Sequence, residues 1–205
     1  FTMPCIGQRM HVDMIRTVKS RGIDVTASVC PHNLCLSDVK LRSFDSKYKV
    51  HPPLRSEKHV ETLRNALADG TIDAIQSGHM PRSREKKMDD LDLSPFGGSA
   101  LETTLATTIT YMIGEQLIDW KTAINRLSTA PARIAGVTGG TLKPGAPADI
   151  VIIDPDVTWM VDATRFRSHC ISSPLDGHSL QGRATHTIVG GEIRYRLTPE
   201  LGHIA

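Results

Sequence analysis

The chain has 205 residues, of which 40% are hydrophobic and 22% are charged, and its formal net charge is +2. This composition is typical of a globular protein, and the length is sufficient to bury a substantial core. The interspersed acidic and basic residues and the 4% aromatic content disfavour a nucleic-acid-binding platform, which needs a clustered basic face or stacking rings.

Hydropathy and cysteine usage restrict the cellular setting. No apolar run reaches the roughly 18 residues that span a bilayer, and the N-terminus lacks the basic and apolar regions of a signal peptide. We therefore expect a cytoplasmic protein with no membrane partner. The four cysteines, Cys5, Cys30, Cys35 and Cys170, are too few and too irregularly spaced for a disulfide framework, so buried free thiols are predicted.

The first 70 residues alternate between helical and extended patterns. Residues 11–21 carry apolar side chains at helical spacing, and residues 23–29 alternate apolar and polar side chains as a strand does. The double proline at 52–53 fits neither a helix interior nor a central strand, so it predicts a rigid loop. A serine then caps a helix predicted over 56–68.

Residues 71–102 are the stretch around which the rest of the chain is organised. A short buried strand is predicted over 72–76, followed by a small polar turn and a mobile, solvated charged loop over 82–92. A glycine hinge at 95–98 then opens a helix over 99–118. Enzymes of the α/β class build one edge of an active site in this way, although an ordinary βα connection has the same pattern.

The last third of the chain changes character. Asp119 is predicted to cap a further helix, and the sequence then turns to short strands, one over 148–154 and a hairpin over 185–195 around a Gly-Gly turn. We assign residues 1–138 to a β/α unit and residues 139–205 to a small all-β domain. A complete β/α barrel needs about 250 residues, so only about half of one is present.

Three segments, IDAIQSGHMPRSREKK…SPFGGSALET, RGIDVTASVCPHNLCLSD and KVHPPLRS, carry recognisable motifs. The first resembles the signature I-D-x-I-A-T-D-H-A-P-H of the dihydroorotases of the amidohydrolase superfamily, with its E-K-rich loop and P-F-G-x-x-G-L-E-T. The other two resemble further segments of the same family. The resemblance covers almost the whole chain. It implies the C-terminal part of a (β/α)8 TIM barrel of the metal-dependent hydrolase type, plus a small all-β domain.

The resemblance also implies a chemistry. Dihydroorotases interconvert carbamoyl aspartate and dihydroorotate in pyrimidine biosynthesis. In the family a zinc-bound hydroxide attacks a ring amide, and an aspartate moves the proton. Zinc is needed because it lowers the pKa of its bound water to about 7.

Four positions that carry this chemistry differ in the present chain. The family aspartate, a metal ligand and general base, is replaced by Gly78, and a metal-binding histidine aligns with Cys5. The substrate-binding asparagine is His51, and a further family histidine is Arg82. Phe96 and Gly97, whose backbone contacts the substrate in the family, are retained. A thiolate binds zinc, so Cys5 stays a candidate metal ligand.

Three interpretations follow from the resemblance. The first is a dihydroorotase-like pseudoenzyme that acts as a noncatalytic partner of aspartate carbamoyltransferase in an oligomer, with the barrel completed by that enzyme or by an upstream segment. The second is an active zinc hydrolase of dihydroorotate or another cyclic amide, in which His79 replaces Gly78 as base or ligand. Neighbouring strand residues point to opposite faces, so His79 would need a local rearrangement.

The third interpretation is a sensor that binds carbamoyl aspartate or dihydroorotate without turnover. Its basis is the mouth of the predicted barrel, where Arg82 is placed to attract an anionic ligand. His32 is expected to support the site as a hydrogen-bonded structural residue in any of the three cases.

Overall fold

The computed structural model describes residues 2–198, which form two three-stranded sheets with helices packed around them. Residue 1 and residues 199–205, the outer ends of the two predicted domain ranges, lie outside the described residues. The first sheet is parallel, in the order β1 (Thr2–Met3), β2 (Thr26–Val29) and β3 (Ala74–Ile75).

Each pair of parallel strands is joined by a crossover helix, α1 (Arg9–Ser20) and α3 (Glu57–Asp69). Both helices were predicted, and each buries one apolar face. Gly70 ends α3 in the left-handed conformation, with φ of 89°. The core of this unit comprises Ile6, Val12, Ile15, Ala27, Val29, Leu34, Leu63, Ala66, Leu67, Ile72, Ile75, Met112, Ile118 and Ala123.

Strands β2 and β3 are shorter than the predicted 23–29 and 72–76, but their pairing extends beyond them. The Asp73 amide donates to the Ala27 carbonyl at 2.9 Å, and the Gln76 amide donates to the Val29 carbonyl at 3.0 Å. The helical turn α2 (His32–Cys35) follows β2 directly. The polar residues after β2 and β3 therefore lie at one edge of the sheet.

The charged loop over 82–92 is largely solvent-exposed, as predicted, but it is anchored at Lys87. It contains the short helix α4 (Arg84–Lys87), and the Lys87 side chain is buried. The Lys87 ammonium donates to the carbonyls of Ser46 at 2.6 Å and Pro95 at 3.2 Å. A lysine can be buried in this way because its stem is apolar and backbone carbonyls replace the lost water.

The single helix predicted over 99–118 is divided. A 3₁₀ turn at Leu101–Thr103 leads into α5 (Thr104–Thr108), and Ile109–Ile113 is a π-helical turn. Five threonine hydroxyls between residues 103 and 110 donate to carbonyls three or four residues earlier. Such bonds compete with regular helical geometry, which explains the irregular path.

Two further helices complete the first unit, α6 (Trp120–Ile124) and α7 (Ala130–Ala135), joined by a π-helical turn at Asn125–Thr129. The cap predicted at Asp119 is confirmed, because its carboxylate accepts from the Thr122 amide at 2.7 Å. Among residues 2–198, no helix is both long enough and apolar enough to cross a bilayer.

The second sheet is antiparallel, in the order β4 (Ile150–Met160), β5 (Ser179–Val189) and β6 (Glu192–Arg196). The predicted hairpin is present, and Gly190 and Gly191 both have positive φ, as its tight turn requires. The sheet contacts α5 around a second core, formed by Leu36, Tyr48, Val50, Leu54, Ala106, Trp159, Val161, Leu175 and Leu180.

Candidate active site

The C-terminal edge of the parallel sheet brings together residues that are distant in sequence. Cys5 lies just after β1, Cys30 directly follows β2, and Gly78 lies just after β3. Cys5 and Cys30 form a disulfide bond, with their Cα atoms 5.8 Å apart, which corrects the prediction that both are free thiols. The two are 25 residues apart in sequence, yet the parallel pairing of β1 and β2 places them side by side. Cys35 and Cys170 are free.

Other side chains close the space beside Gly78, the position at which the resemblance leads us to expect an aspartate. Gly78 has φ of 62°, and a Cβ built on it would lie 2.8 Å from the Cys30 sulfur and 2.8 Å from Cε1 of His32. These distances are well below normal carbon contacts. A carboxylate at residue 78 would therefore require the disulfide or the histidine ring to move.

His32 is buried as a structural histidine would be, but its ring nitrogens lack the well-formed hydrogen bonds that were expected. Its exposure is 2%, and neither ring nitrogen has a partner at hydrogen-bonding geometry. Burial lowers the pKa of His32 to about 4, against a smaller upward effect of the His51 backbone. The imidazole is therefore neutral near pH 7. The space left by Gly78 is what lets the ring pack here.

His79, the candidate substitute base, is held by the chain that follows it. Its Nδ1 accepts from the amides of Ala100 at 3.2 Å and Leu101 at 3.4 Å. The lone pair of Nδ1 is therefore already engaged by the main chain. The ring lines a cavity of about 660 Å³ between α5 and the antiparallel sheet, with Trp159 and Arg183 among the other lining residues.

The predicted substrate-binding residues come together at the mouth of the sheet. Nε of Arg82 donates to the Phe96 carbonyl at 2.9 Å, and the Gly97 amide donates to the Lys49 carbonyl at 2.9 Å. The rings of His51 and Phe96 meet edge to face, with centroids 6.2 Å apart. The Lys49 ammonium lies 5.2 Å from the Phe96 centroid. We call Lys49, His51, Arg82 and Phe96 the mouth cluster.

Sequence reasoning did not single out Lys49, although it lies two residues before His51. Its ammonium donates to the carbonyls of Leu91 at 2.7 Å and Asp92 at 2.9 Å, so it ties the charged loop to the mouth cluster. Beside it, the Met80 amide donates to the Gly98 carbonyl at 3.0 Å. Two cationic side chains, a histidine and an aromatic ring suit a ligand that carries a carboxylate.

Comparison with known proteins agrees with this architecture. The amidohydrolase family model matches residues 7–194. The chain belongs to the amidohydrolase family. It is 60% identical over 194 residues to a protein of Rhodopirellula baltica that is provisionally assigned as a dihydroorotase, covering 95% of this chain and 42% of that protein. It is 43% identical over 196 residues to a dihydroorotase of Pelotomaculum thermopropionicum, covering 91% of this chain and 46% of the relative.

The predicted fold class is confirmed by a solved amidohydrolase structure. The L-hydantoinase of Arthrobacter aurescens superposes with a TM-score of 0.90 at 27% identity, covering 100% of this chain and 46% of that one. The present chain is thus part of an amidohydrolase TIM barrel with an accompanying sheet. It spans about half the length of the curated relatives that it matches.

The residues of this amidohydrolase segment do not fit the family metal centre in the disulfide-bonded state. At the two positions where the resemblance leads us to expect metal ligands, Gly78 offers no donor atom, and the Cys5 sulfur is bonded to Cys30. Across the described part of the chain, no group of three or more His, Cys, Asp or Glu side chains is arranged to hold a metal ion. We therefore derive no catalytic step through a metal from these residues.

Proposed function

We propose that this chain belongs to a dihydroorotase-like protein of pyrimidine biosynthesis that lacks hydrolytic activity and acts as a noncatalytic partner of aspartate carbamoyltransferase. The proposal rests on the space beside Gly78, which is filled by side chains from another strand end. Residue 78 is a glycine and has no carboxylate to move a proton. The Cys30 sulfur and the His32 ring also occupy the space that such a side chain would need.

Neighbouring groups do not supply a replacement base. Nδ1 of His79 already accepts two backbone hydrogen bonds, and His32 is enclosed with almost no solvent exposure. General base catalysis needs a group with a free lone pair within hydrogen-bonding reach of the reacting proton. Loss of the base argues against turnover whether or not metal is bound elsewhere in the protein.

The surface of the segment supports an assembly role. β1 and β3 each pair with a single neighbour among the described strands, so both edges of the parallel sheet need covering by an upstream segment or another chain. Large apolar side chains are also exposed on its helices and loops, among them Met10, Met14, Leu101, Ile124 and Val137. Aspartate carbamoyltransferase is named as the partner because the dihydroorotase resemblance points to it.

The test uses the full-length natural protein. Conversion between carbamoyl aspartate and dihydroorotate is assayed with and without added zinc, and assembly with aspartate carbamoyltransferase is measured by size-exclusion chromatography with light scattering. We expect no turnover and a stable complex. Turnover that depends on this chain, or separate elution of the two proteins, would refute the corresponding part of the proposal. Gly78→Asp alone should not create activity, because Cys5, His51 and Arg82 also differ from the family.

The mouth cluster favours a second candidate, a sensor that binds carbamoyl aspartate or dihydroorotate without turnover. Binding is measured by isothermal titration calorimetry on wild type and on Arg82→Gln. A charge-assisted contact contributes roughly 1.5–3 kcal/mol, so Arg82→Gln should weaken binding about ten-fold or more. Arg84→Gln, an exposed position on α4, is the matched control. Equal affinity in both variants, or no binding at all, would exclude the sensor.

A further inference from the structure

The cavity between α5 and the antiparallel sheet has a lining that neither candidate function uses. Its volume of about 660 Å³ is in the usual range for small-molecule sites, and the four residues of the mouth cluster are not among those that line it. The lining includes four arginines and three aromatic residues, namely Arg165, Arg167, Arg183, Arg194, Trp159, Phe166 and Tyr195. We call this space the arginine cavity.

Two of the guanidinium groups are held against aromatic rings. The central carbon of the Arg183 guanidinium lies 4.5 Å from the Trp159 ring centroid, and that of Arg167 lies 5.9 Å from the Tyr195 centroid. Nε1 of Trp159 donates to the Gly182 carbonyl at 3.1 Å, which fixes the ring that carries Arg183. A stacked guanidinium keeps its N–H groups at the rim of its plane, where they can bind two oxygens of one anion.

The formal charge of the lining is positive. Among the described residues, the carboxylates of Glu102 and Asp162 line the cavity beside the four arginines, and that of Glu192 lies 2.7 Å from the Arg194 guanidinium. Four cationic groups therefore face three anionic ones. Burial lowers the pKa of the partly buried Arg183, so an anion brought close to it stabilises its charged form.

We propose that the arginine cavity binds a nucleoside monophosphate, with the phosphate on Arg167 and Arg183 and the base against the aromatic lining. A phosphate carries about −1.5 to −2 charges at pH 7 and has three acceptor oxygens, which suits two stacked guanidinium groups. A nucleobase has a planar face that stacks on aromatic rings and on guanidinium planes. A dicarboxylate such as carbamoyl aspartate would use the charge but leave the rings without a stacking partner.

This site goes beyond the proposed function and lies apart from the mouth cluster. Leu101 and Leu105 line it from the β/α unit, whereas Gly182 and Tyr195 line it from the antiparallel sheet. A nucleotide bound here contacts both units of the chain at once. Because it binds the folded arrangement and not the unfolded chain, it stabilises the contact between them.

The test is isothermal titration calorimetry on the full-length natural protein. The probes are UMP and AMP, with uridine, adenosine and ribose 5-phosphate as matched ligands that each lack the phosphate or the base. At least one nucleotide should bind saturably, and its nucleoside and ribose 5-phosphate should each bind at least about ten-fold more weakly. No saturable binding of either nucleotide, or equal affinity for ribose 5-phosphate, would overturn the proposal.

Variants locate the binding site. Arg183→Gln and Arg167→Gln should each weaken nucleotide binding by about ten-fold or more, because each removes a charge-assisted contact. Arg84→Gln on α4 and Arg82→Gln in the mouth cluster should leave nucleotide affinity unchanged. If Arg183→Gln does not fold, the exposed Arg167→Gln carries the comparison. Unchanged affinity in Arg167→Gln, or an equal loss in Arg82→Gln, would overturn the proposed location.

Turnover measured on the same protein separates this inference from the proposed function, because the titration uses neither aspartate carbamoyltransferase nor a dihydroorotase substrate. Nucleotide binding without turnover supports both. Nucleotide binding accompanied by hydrolysis of dihydroorotate would refute the noncatalytic role and leave the nucleotide site standing. Absence of both would refute the nucleotide site and leave the noncatalytic role standing.

Discussion

Replacing Gly78 by alanine tests whether other side chains close the space beside this residue. Gly78 has φ of 62°, and an alanine in this left-handed region costs about 1–2 kcal/mol. The added methyl also meets the Cys30 sulfur and the His32 ring at 2.8 Å, and overpacking of this kind costs about 1–3 kcal/mol more. We expect Gly78→Ala to lower the free energy of unfolding by about 2–5 kcal/mol in total.

Gly22 provides the matched control. Its φ of 74° imposes a similar backbone strain, but a Cβ built there has no heavy atom within 4 Å. Gly22→Ala should therefore cost only the strain, about 1–2 kcal/mol. Urea denaturation of wild type and both variants, followed by circular dichroism, gives the comparison. If Gly78→Ala is no more destabilising than Gly22→Ala, the space beside Gly78 is open and the main support for the proposed function fails.

Three further predictions concern buried polar groups. Because burial lowers the pKa of His32 to about 4 from 6.5, the unfolded state binds more protons between these values. The contribution of His32 to the free energy of unfolding should be fully present above about pH 6.5 and fall by about 3 kcal/mol as the pH drops to 4. Urea denaturation of a His32→Leu variant should lack this pH dependence, and an unchanged slope of stability against pH would contradict the prediction. Lys19→Met removes the ammonium that lies 2.8 Å from the half-buried Asp73 carboxylate and should lower the free energy of unfolding by about 2 kcal/mol. Arg16→Met, which breaks an exposed ion pair, should lower it by less than about 1 kcal/mol, and equal urea midpoints for the two variants would refute this. Lys87→Met should speed proteolytic cleavage within residues 88–93, because the charged loop loses two anchoring bonds, and an unchanged cleavage rate would show that the anchor is unnecessary.

The secondary structure that local pattern determines was predicted well. The two crossover helices, the cap at Asp119 and the turn at Gly190-Gly191 follow from apolar spacing, capping chemistry and positive φ, all of which are local properties. The disulfide could not be predicted in this way. It depends on the parallel register of β1 and β2, which brings together residues with no local relationship.

The candidate site was predicted in part for the same reason. The resemblance identified His51, Arg82, Phe96 and Gly97, and the structure brings them together. It gave no indication that the His32 ring would fill the space at Gly78. That arrangement arises from the meeting of two strand ends, where the absence of one side chain admits another from a different segment.

Two of the hydrogen bonds that join the loops of the mouth cluster run from main chain to main chain. The Gly97 amide donates a hydrogen bond to the Lys49 carbonyl, and the Met80 amide donates one to the Gly98 carbonyl. Amide and carbonyl groups are the same in nearly every residue, so these two bonds do not depend on which side chains occupy positions 51 and 82, whereas the bond from Arg82 to the Phe96 carbonyl does. The side chains at positions 51 and 82 can therefore change, by natural drift or by protein engineering, while these main-chain bonds still connect the loops.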